Sequence, residues 1–588
     1  MQTYKAPIDD IRFLFELFDY TGKVASMDAY QDFDLESAMA IIDEAAKFST
    51  NEMLPLNRVG DEAGLKYNTE DFSVQTPPGF KELYDKFVEA GLISLTQPVE
   101  FGGSGAPHTI GVVMSEFSTA TNKSFSMCPG LTHGVLDALQ QHGTQWQKET
   151  FMPRLVSGEW AGTMCLTEPN CGTDLGLMRT RAIPDGDDTY RLTGNKIWIT
   201  FGEHDLTDNI VHLVLARLPD APEGIKGISL FLVPKFDLEG NANNVLCGGL
   251  EHKMGIHASP TCVINFEDSK GWLVGEPHKG MRAMFTMMNS ARLLVGIEGL
   301  ALGEIAYQTA LEFAKDRRQS RSLDPEKRDL SKPADTILVH PDVRRMLLNT
   351  KATNEAMRAL GVYCSINLDQ MHHSSDDTVR NDAADMTALL TPIIKSYFTE
   401  RGFENISDTM QVCGGSGYTT DWSIEQYLRD ARIAMIYEGT NHIQALDLVG
   451  RKLPDGMGRM YQKFAANITK FIQAHKENKE MNDFLEPLKD ASKKLNEATM
   501  GLSMRGMQDP EEAGAVASNY LNLFALTALA WMWGEMAAAC VGKDDKFSQT
   551  KLKTGRYFMY NVLPEIDTLV KYINTGKKYM MDFEADEF

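Results

Sequence analysis

Long apolar runs, paired cysteines and nucleotide-binding glycine fingerprints are all missing from this chain of 588 residues. The longest apolar run, Leu523 to Gly534, ends at Glu535 and is too short to span a bilayer. No secretory leader is expected, because Asp9 and Asp10 precede any apolar core and Glu16 interrupts Phe13 to Phe18. The eight cysteines (Cys128, Cys165, Cys171, Cys247, Cys262, Cys364, Cys413 and Cys540) form no Cys-x-x-Cys pair, and most sit among apolar neighbours. Buried free thiols in a reducing, cytoplasmic setting are expected, with neither a disulfide framework nor a zinc site. Gly103/Gly105 and Gly415/Gly417 begin Gly-x-Gly patterns, but His108 and Thr420 stand where the third glycine belongs. No Rossmann turn is supported. Gly275 to Gly280 has P-loop spacing, yet Met281-Arg282 replaces the lysine and hydroxyl. There is no His-Glu-x-x-His, and His372-His373 beside Ser374, Ser375, Asp376 and Asp377 reads as a solvated loop, so no metal is expected. Positive charge is also scarce. A net charge of −23 argues against nucleic acid or an anionic membrane as main partner, while leaving room for a local basic pocket that takes a phosphate-bearing ligand.

What is present is enough apolar residue, 43%, for several cores rather than one. Residues 36 to 160 carry helical apolar spacing, as in Ala38 to Ile42 and Leu83 to Leu92. From 161 to 280 the texture turns to short runs rich in Ile, Val, Phe and Thr, which predict strands over Tyr190 to Leu192, Lys196 to Thr200, Ile210 to Ala216, Ile228 to Val233 and Thr261 to Phe266. Helices return over Met281 to Lys315, Asp342 to Asn367, Asp382 to Val412 and Asn441 to Lys452, with an exposed loop at Ser320 to Pro341. A further helical segment runs from 453 to 588 and ends in an acidic, frayed tail. The expected class is α+β and multidomain: a lead (1–35), a helical domain (36–160), a β barrel or sandwich (161–280), a helical bundle (281–452) and an added helical domain (453–588).

Six local motifs follow one another. Cys165-Leu166-Thr167-Glu168-Pro169-Asn170-Cys171-Gly172-Thr173-Asp174 is a polar turn able to offer backbone N–H groups and two hydroxyls. Gly194-Asn195-Lys196-Ile197-Trp198-Ile199-Thr200 is a strand whose alternation sets an aromatic and a hydroxyl on one face, which suits a planar heterocycle. Taken singly, these are more often a β-turn and a core tryptophan. Asn289-Ser290-Ala291-Arg292 lies at the opening of a helix and Lys315-Asp316-Arg317-Arg318-Gln319 at its end, where cations such as Arg317 and Arg318 are favoured in any case. Gln411-Val412-Cys413-Gly414-Gly415-Ser416-Gly417-Tyr418 allows close backbone approach to a ligand, or simply stops a helix. Last comes Ala431 to Asn441, in which Glu438 follows an apolar run and precedes Gly439-Thr440. A carboxylate in poor solvent has its pKa raised and becomes a base suited to neutral pH. An ordinary helix-end glutamate is the bland alternative.

In this order and spacing the motifs resemble the acyl-CoA dehydrogenase family over about residues 36 to 452. The lead Tyr4 to Asp10 and the extra C-terminal segment resemble its extended branch. Glu251-His252-Lys253-Met254-Gly255 and Val339 to Met346 look most like the bacterial 3-methylmercaptopropionyl-CoA dehydrogenases and their broad-specificity relatives. The resemblance implies FAD between the β domain and the C-terminal helices. Leu166, Thr167 and Thr173 would line the flavin and pyrophosphate side, Trp198 would pack on the isoalloxazine, and Thr200 would hydrogen-bond near N5. Arg317, Gln411, Gly414 and Gly415 would reach the FAD of a neighbouring subunit, and Thr440 and His442 would hold the pyrophosphate near the base. Arg292, Thr173, Tyr437 and Gly439 would position acyl-CoA.

Glu438 would then remove the α-proton of the thioester while the flavin takes the β-hydride, the enolate charge being held by hydrogen bonds. Some branches carry the base just before the arginine that matches Arg292; here that residue is Ala291, so the work falls to Glu438. Two departures stand out: Arg317-Arg318-Gln319-Ser320-Arg321 replaces Arg-x-x-Phe-Gly, and Phe201 follows Thr200 where a smaller or polar residue is usual. The resemblance implies 3-methylsulfanylpropanoyl-CoA as substrate, with short to medium fatty acyl-CoA as the alternative. It implies electron-transfer flavoprotein as partner, with oxidase behaviour as the alternative, and a homo-oligomer, expected to be a dimer.

Overall fold

The computed structural model describes the backbone of residues 2–588, and side chains within that range except 287–290. Its helices are α1 (Ile8–Leu17), α2 (Leu35–Phe48), α3 (Leu54–Ala63), α4 (Phe80–Glu89), α5 (His108–His142), α6 (Gln145–Val156), α7 (Gly280–Asp316), α8 (Pro341–His373) and α9 (Asp377–Cys413). They continue with α10 (Gly415–Tyr418), α11 (Ile424–Arg432), α12 (Asn441–Asp447), α13 (Arg459–His475), α14 (Asn482–Gln508), α15 (Pro510–Cys540), α16 (Lys546–Tyr557) and α17 (Ile566–Thr575). The strands are β1 (Lys66–Tyr67), β2 (Val74–Gln75), β3 (Trp160–Cys165), β4 (Arg181–Pro184), β5 (Thr189–Thr200), β6 (Asn209–Arg217), β7 (Ile228–Pro234), β8 (Val245–Leu250) and β9 (Thr261–Val274). The chain divides into two compact units, residues 44–291 and residues 1–43 with 292–588.

In the first unit the ring β6–β4–β5–β9–β7 closes back on β6, a small barrel to which β3 adds beside β6 and β8 beside β9. Closure leaves few unpaired edges and encloses Val214, Phe231, Ile264 and Phe266. A second core lies outside it, where Phe151 and Leu155 of α6 and Val135 and Leu139 of α5 meet the other faces of β3, β6 and β7. Alternate side chains of a strand point to opposite faces, so these strands serve both cores and read as continuous apolar runs. β5 and β9 are longer than their apolar runs predict, because the barrel continues pairing through polar residues out to Thr189↔Trp272. The β1–β2 hairpin, absent from the sequence reading, interrupts the helices of residues 44–160.

In the second unit the lead is folded in. Asp10 of α1 meets Arg358 at 2.8 Å and Lys551, and Lys551 meets Glu355 at 2.8 Å, all inside the protein. Residues 453–588 are part of this same body. Its centre is α15, which corrects the sequence reading of the apolar run. The run is short, but the helix that contains it has 31 residues and is long and apolar enough to cross a membrane. Of its most apolar stretch 83% is buried against the rest of the unit, and the Trp533 indole N–H reaches the Ala352 carbonyl at 3.1 Å. All eight cysteines are free and buried, as expected.

Candidate active site

The turn bearing Glu438 forms where one helix tightens and the next begins. α11 passes into a single 3₁₀ turn, Ile433–Met435, and α12 starts at Asn441. Between them Glu438 (φ +55°) and Gly439 (φ +84°) both take the left-handed conformation. For a residue with a Cβ this costs on the order of 1–2 kcal/mol, and such strain persists only when the surroundings hold it. A Cβ on Gly439 would meet Gln444 Nε2 at 2.7 Å, so the position calls for glycine twice over. Thr440 caps α12, its hydroxyl accepting from the Ile443 N–H at 3.3 Å.

The surroundings do hold it. Gln444 Nε2 donates to the carbonyls of Glu438 and Gly439 at 3.2 Å each, and Arg292 Nε donates to the Glu438 carbonyl at 3.4 Å. Lys395 Nζ, arriving from α9, donates to the Gly439 carbonyl at 2.7 Å and to Asn441 Oδ1 at 3.0 Å. Tyr437 donates its hydroxyl to Glu298 at 2.6 Å. The carbonyls of the turn are thus satisfied and the carboxylate is not. Glu438 Oε2 is buried with no hydrogen-bond partner, and the Glu438 N–H donates to no group among the described residues. Burial pushes the Glu438 pKa up to about 7; Arg292 and Lys395 oppose the rise and Glu298 adds to it.

The barrel unit carries its own constellation. Lys196 and Glu168 form a buried pair at 2.8 Å, and Lys196 Nζ also donates to the Leu166 carbonyl at 3.0 Å. Glu168 further accepts from the N–H groups of Arg179 and Thr180 at 2.6 and 3.0 Å. Burial acts to raise the Glu168 pKa, but Lys196 and these donors outweigh it and hold the carboxyl below its ordinary range. The pair pins the 166–174 turn to β5, where the Ile197 N–H donates to the Thr167 carbonyl at 2.9 Å. There β5 bulges between Lys196 and Ile199, and Trp198 takes φ +60°. The extra residue turns Lys196 inward with Ile199 and leaves Trp198, 59% exposed, and half-buried Thr200 outward. Simple alternation puts Trp198 and Thr200 together correctly but sets Lys196 on the wrong face.

Trp198 and Thr200 make no side-chain hydrogen bond among the described residues. An outward indole beside an unused hydroxyl, held over a pinned turn, fits a flat polar ring. Consecutive segments match the models described as acyl-CoA dehydrogenase N-terminal domain (36–159), middle domain (163–269) and C-terminal domain (278–453). Residues 464–584 match the model described as acetyl-CoA dehydrogenase C-terminal like. The chain is 41% identical over 575 residues to the 3-methylmercaptopropionyl-CoA dehydrogenase of Ruegeria pomeroyi, covering 96% of each. The chain belongs to the acyl-CoA dehydrogenase family. It is 32% identical to a butyryl-CoA dehydrogenase of Syntrophomonas wolfei, over 100% of this chain and 99% of that one. An acyl-CoA dehydrogenase from Bacillus anthracis, solved with FAD, shares the fold with a TM-score of 0.75 at 22% identity, over 92% of this chain and 88% of that one. The protein is an FAD-dependent oxidoreductase.

For an acyl-CoA dehydrogenase the residues group in three sets. Arg292, Tyr437, Glu438, Gly439 and Thr440 come together around one turn. Leu166, Thr167, Trp198 and Thr200 gather where β5 bulges, with Thr173 exposed on the same turn. Arg317, Gln411, Gly414 and Gly415 are exposed. The Arg317 guanidinium makes no hydrogen bond or ion pair among the described residues, whereas Arg318 and Arg321 hold the 320–341 loop through the Ala334 carbonyl and Asp335. His442 is exposed, with its Nδ1 at 3.1 Å from the Ser518 hydroxyl of α15. Phe201 packs inward, edge-on to His204 at 5.6 Å. The side chains of Asn289 and Ser290 lie outside the described residues. Lys395, Glu298, Gln444 and the Lys196–Glu168 pair carry no role in the sequence reading. For Lys395 a signal existed: one cation after Leu389-Leu390-Thr391-Pro392-Ile393-Ile394.

Proposed function

We propose that this acyl-CoA dehydrogenase oxidises 3-methylsulfanylpropanoyl-CoA to its trans-2-enoyl thioester and passes the electrons to electron-transfer flavoprotein, with Glu438 as the base. The observation that carries the base assignment is the orphaned, buried Oε2 of Glu438. It is an acceptor without a donor, at a pKa near 7, on a turn whose carbonyls at Glu438 and Gly439 are engaged. A proton on the carbon next to the thioester carbonyl supplies the missing partner. The Glu438 N–H, which donates to nothing among the described residues, is available for the thioester oxygen as charge develops on it. Removing one proton there and one hydride from the next carbon leaves the double bond. FAD supplies the acceptor for that hydride. Thr167, Trp198 and Thr200 are the residues we assign to its ring system, and Arg317, Gln411, Gly414 and Gly415 to the FAD of a second copy of this chain.

The substrate rests on the Ruegeria relative at 41% identity against the butyryl-CoA enzyme at 32%. Saturation kinetics over a panel of acyl-CoA esters test it. The highest kcat/KM is expected for 3-methylsulfanylpropanoyl-CoA; a clear preference for butyryl-CoA or longer esters would replace this substrate with a fatty acid. Running the panel with electron-transfer flavoprotein and with O₂ as sole acceptor separates dehydrogenase from oxidase.

A further inference from the structure

Inside α9, Lys395 is 0% exposed. A buried ammonium is costly unless its donors are used. Here no carboxylate takes them. Nζ donates instead to the Gly439 carbonyl at 2.7 Å and to Asn441 Oδ1 at 3.0 Å, the residues either side of Thr440. Asn441 is itself fixed from α9: its Nδ2 donates to the Ser396 carbonyl at 3.1 Å, and Thr399 Oγ1 donates to its Oδ1 at 3.3 Å. One turn of α9 therefore grips the segment that must keep Glu438 and Gly439 left-handed.

We propose that Lys395 is a positioning residue for the dehydrogenation, holding the strained turn in place while its charge favours the ionised form of Glu438 without bonding to it. This rests on Glu438 being the base. The geometry separates the two duties. The hydrogen bonds end on the backbone and on Asn441, so the ammonium makes no direct pair with the carboxylate and quenches none of its basicity through a bond. The charge still favours the ionised form of Glu438 through space, as does Arg292, while Glu298 opposes both. Those are the charged groups that face Lys395 from α7 and the catalytic turn. Burial lowers the Lys395 pKa to about 8, Glu438 and Glu298 opposing and Arg292 assisting. The cation thus predominates at the midpoint of the Glu438 titration and below it.

The test compares Lys395→Met, Lys395→Gln and Lys395→Arg holoenzymes. Two readouts are used: the pH dependence of kcat/KM for flavin bleaching, and the protonated-carboxyl infrared band of Glu438, assigned by its loss in Glu438→Gln. Met and Gln are expected to move the acid limb and the band's titration upward by about one pH unit, and to lower kcat more than they raise KM. Arg, keeping the charge, is expected to restore the limb while recovering only part of kcat. A limb and band unmoved in Met and Gln would overturn the proposal, whatever the loss of rate. Should Glu438→Gln bleach normally, it is the base assignment that fails instead. Variants that do not hold FAD are judged on the infrared titration of the apoprotein, which needs no turnover.

Discussion

As the proposed base, Glu438 combines a backbone held left-handed with a buried, unpartnered Oε2. Its pKa near 7 lies above the ordinary carboxylate value, so below pH 7 it is largely protonated and cannot accept a proton. The expected result is a kcat/KM that rises with pH and levels off above about 7, measured as flavin bleaching across a pH series. Glu438→Gln keeps the size and loses the acceptor; FAD and fold should persist while the rate falls by at least about 10²–10⁴. Bleaching at near wild-type rate would remove Glu438 from the mechanism. Gly439→Ala is a separate test of the strain. A methyl group at φ +84° and 2.7 Å from Gln444 Nε2 should displace the turn, costing kcat more than FAD retention. Equal kcat in this variant would mean the turn has slack.

At the scale of single elements the bulge in β5 is the decisive piece. Trp198→Ala and Thr200→Val should change the flavin's absorption spectrum and potential more than acyl-CoA affinity, because the bulge presents both outward, with no side-chain hydrogen bond among the described residues. Spectrum and potential unchanged in both would return these residues to a packing role. The strand was legible from its Ile, Trp and Thr content. The bulge was not: it depends on Lys196 finding Glu168, 28 residues earlier, in the barrel interior. In the same way α8, α9 and α12 were readable from helical spacing. The hold of α9 on residues 439–441 was not, since Lys395 and Asn441 are 46 residues apart and meet only by packing.

For the molecule as a whole, the lead and the C-terminal extension are joined by the ion cluster of Asp10, Glu355, Arg358 and Lys551. Removing one partner of a buried pair strands the others. Lys551→Met should therefore destabilise the protein by about 3–5 kcal/mol, read as a lower midpoint in denaturant; an unchanged midpoint would show the cluster to be dispensable. We propose further that the assembly is a homodimer, with Arg317 and Gln411 to Gly415 completing a partner's FAD site and residues 453–588 covering a face that would otherwise be open to a second interface. That α15 buries its apolar surface within its own unit supports the covering. Light scattering after size-exclusion chromatography should give a dimer. A stable tetramer would remove the covering argument, and an active FAD-bound monomer the shared site.

By itself the sequence determined the family, the fold class, the helices and strands with strong periodicity, and the glutamate before Gly439. Each of these is a local pattern of residue type and spacing, carried by neighbours in the chain. Only the tertiary structure decided that Glu438 Oε2 is left unpartnered, that Lys196 turns inward, and that an apolar 31-residue helix is the centre of a folded unit. Desolvation and hydrogen-bond satisfaction depend on groups tens to hundreds of residues away, so no window of sequence contains them.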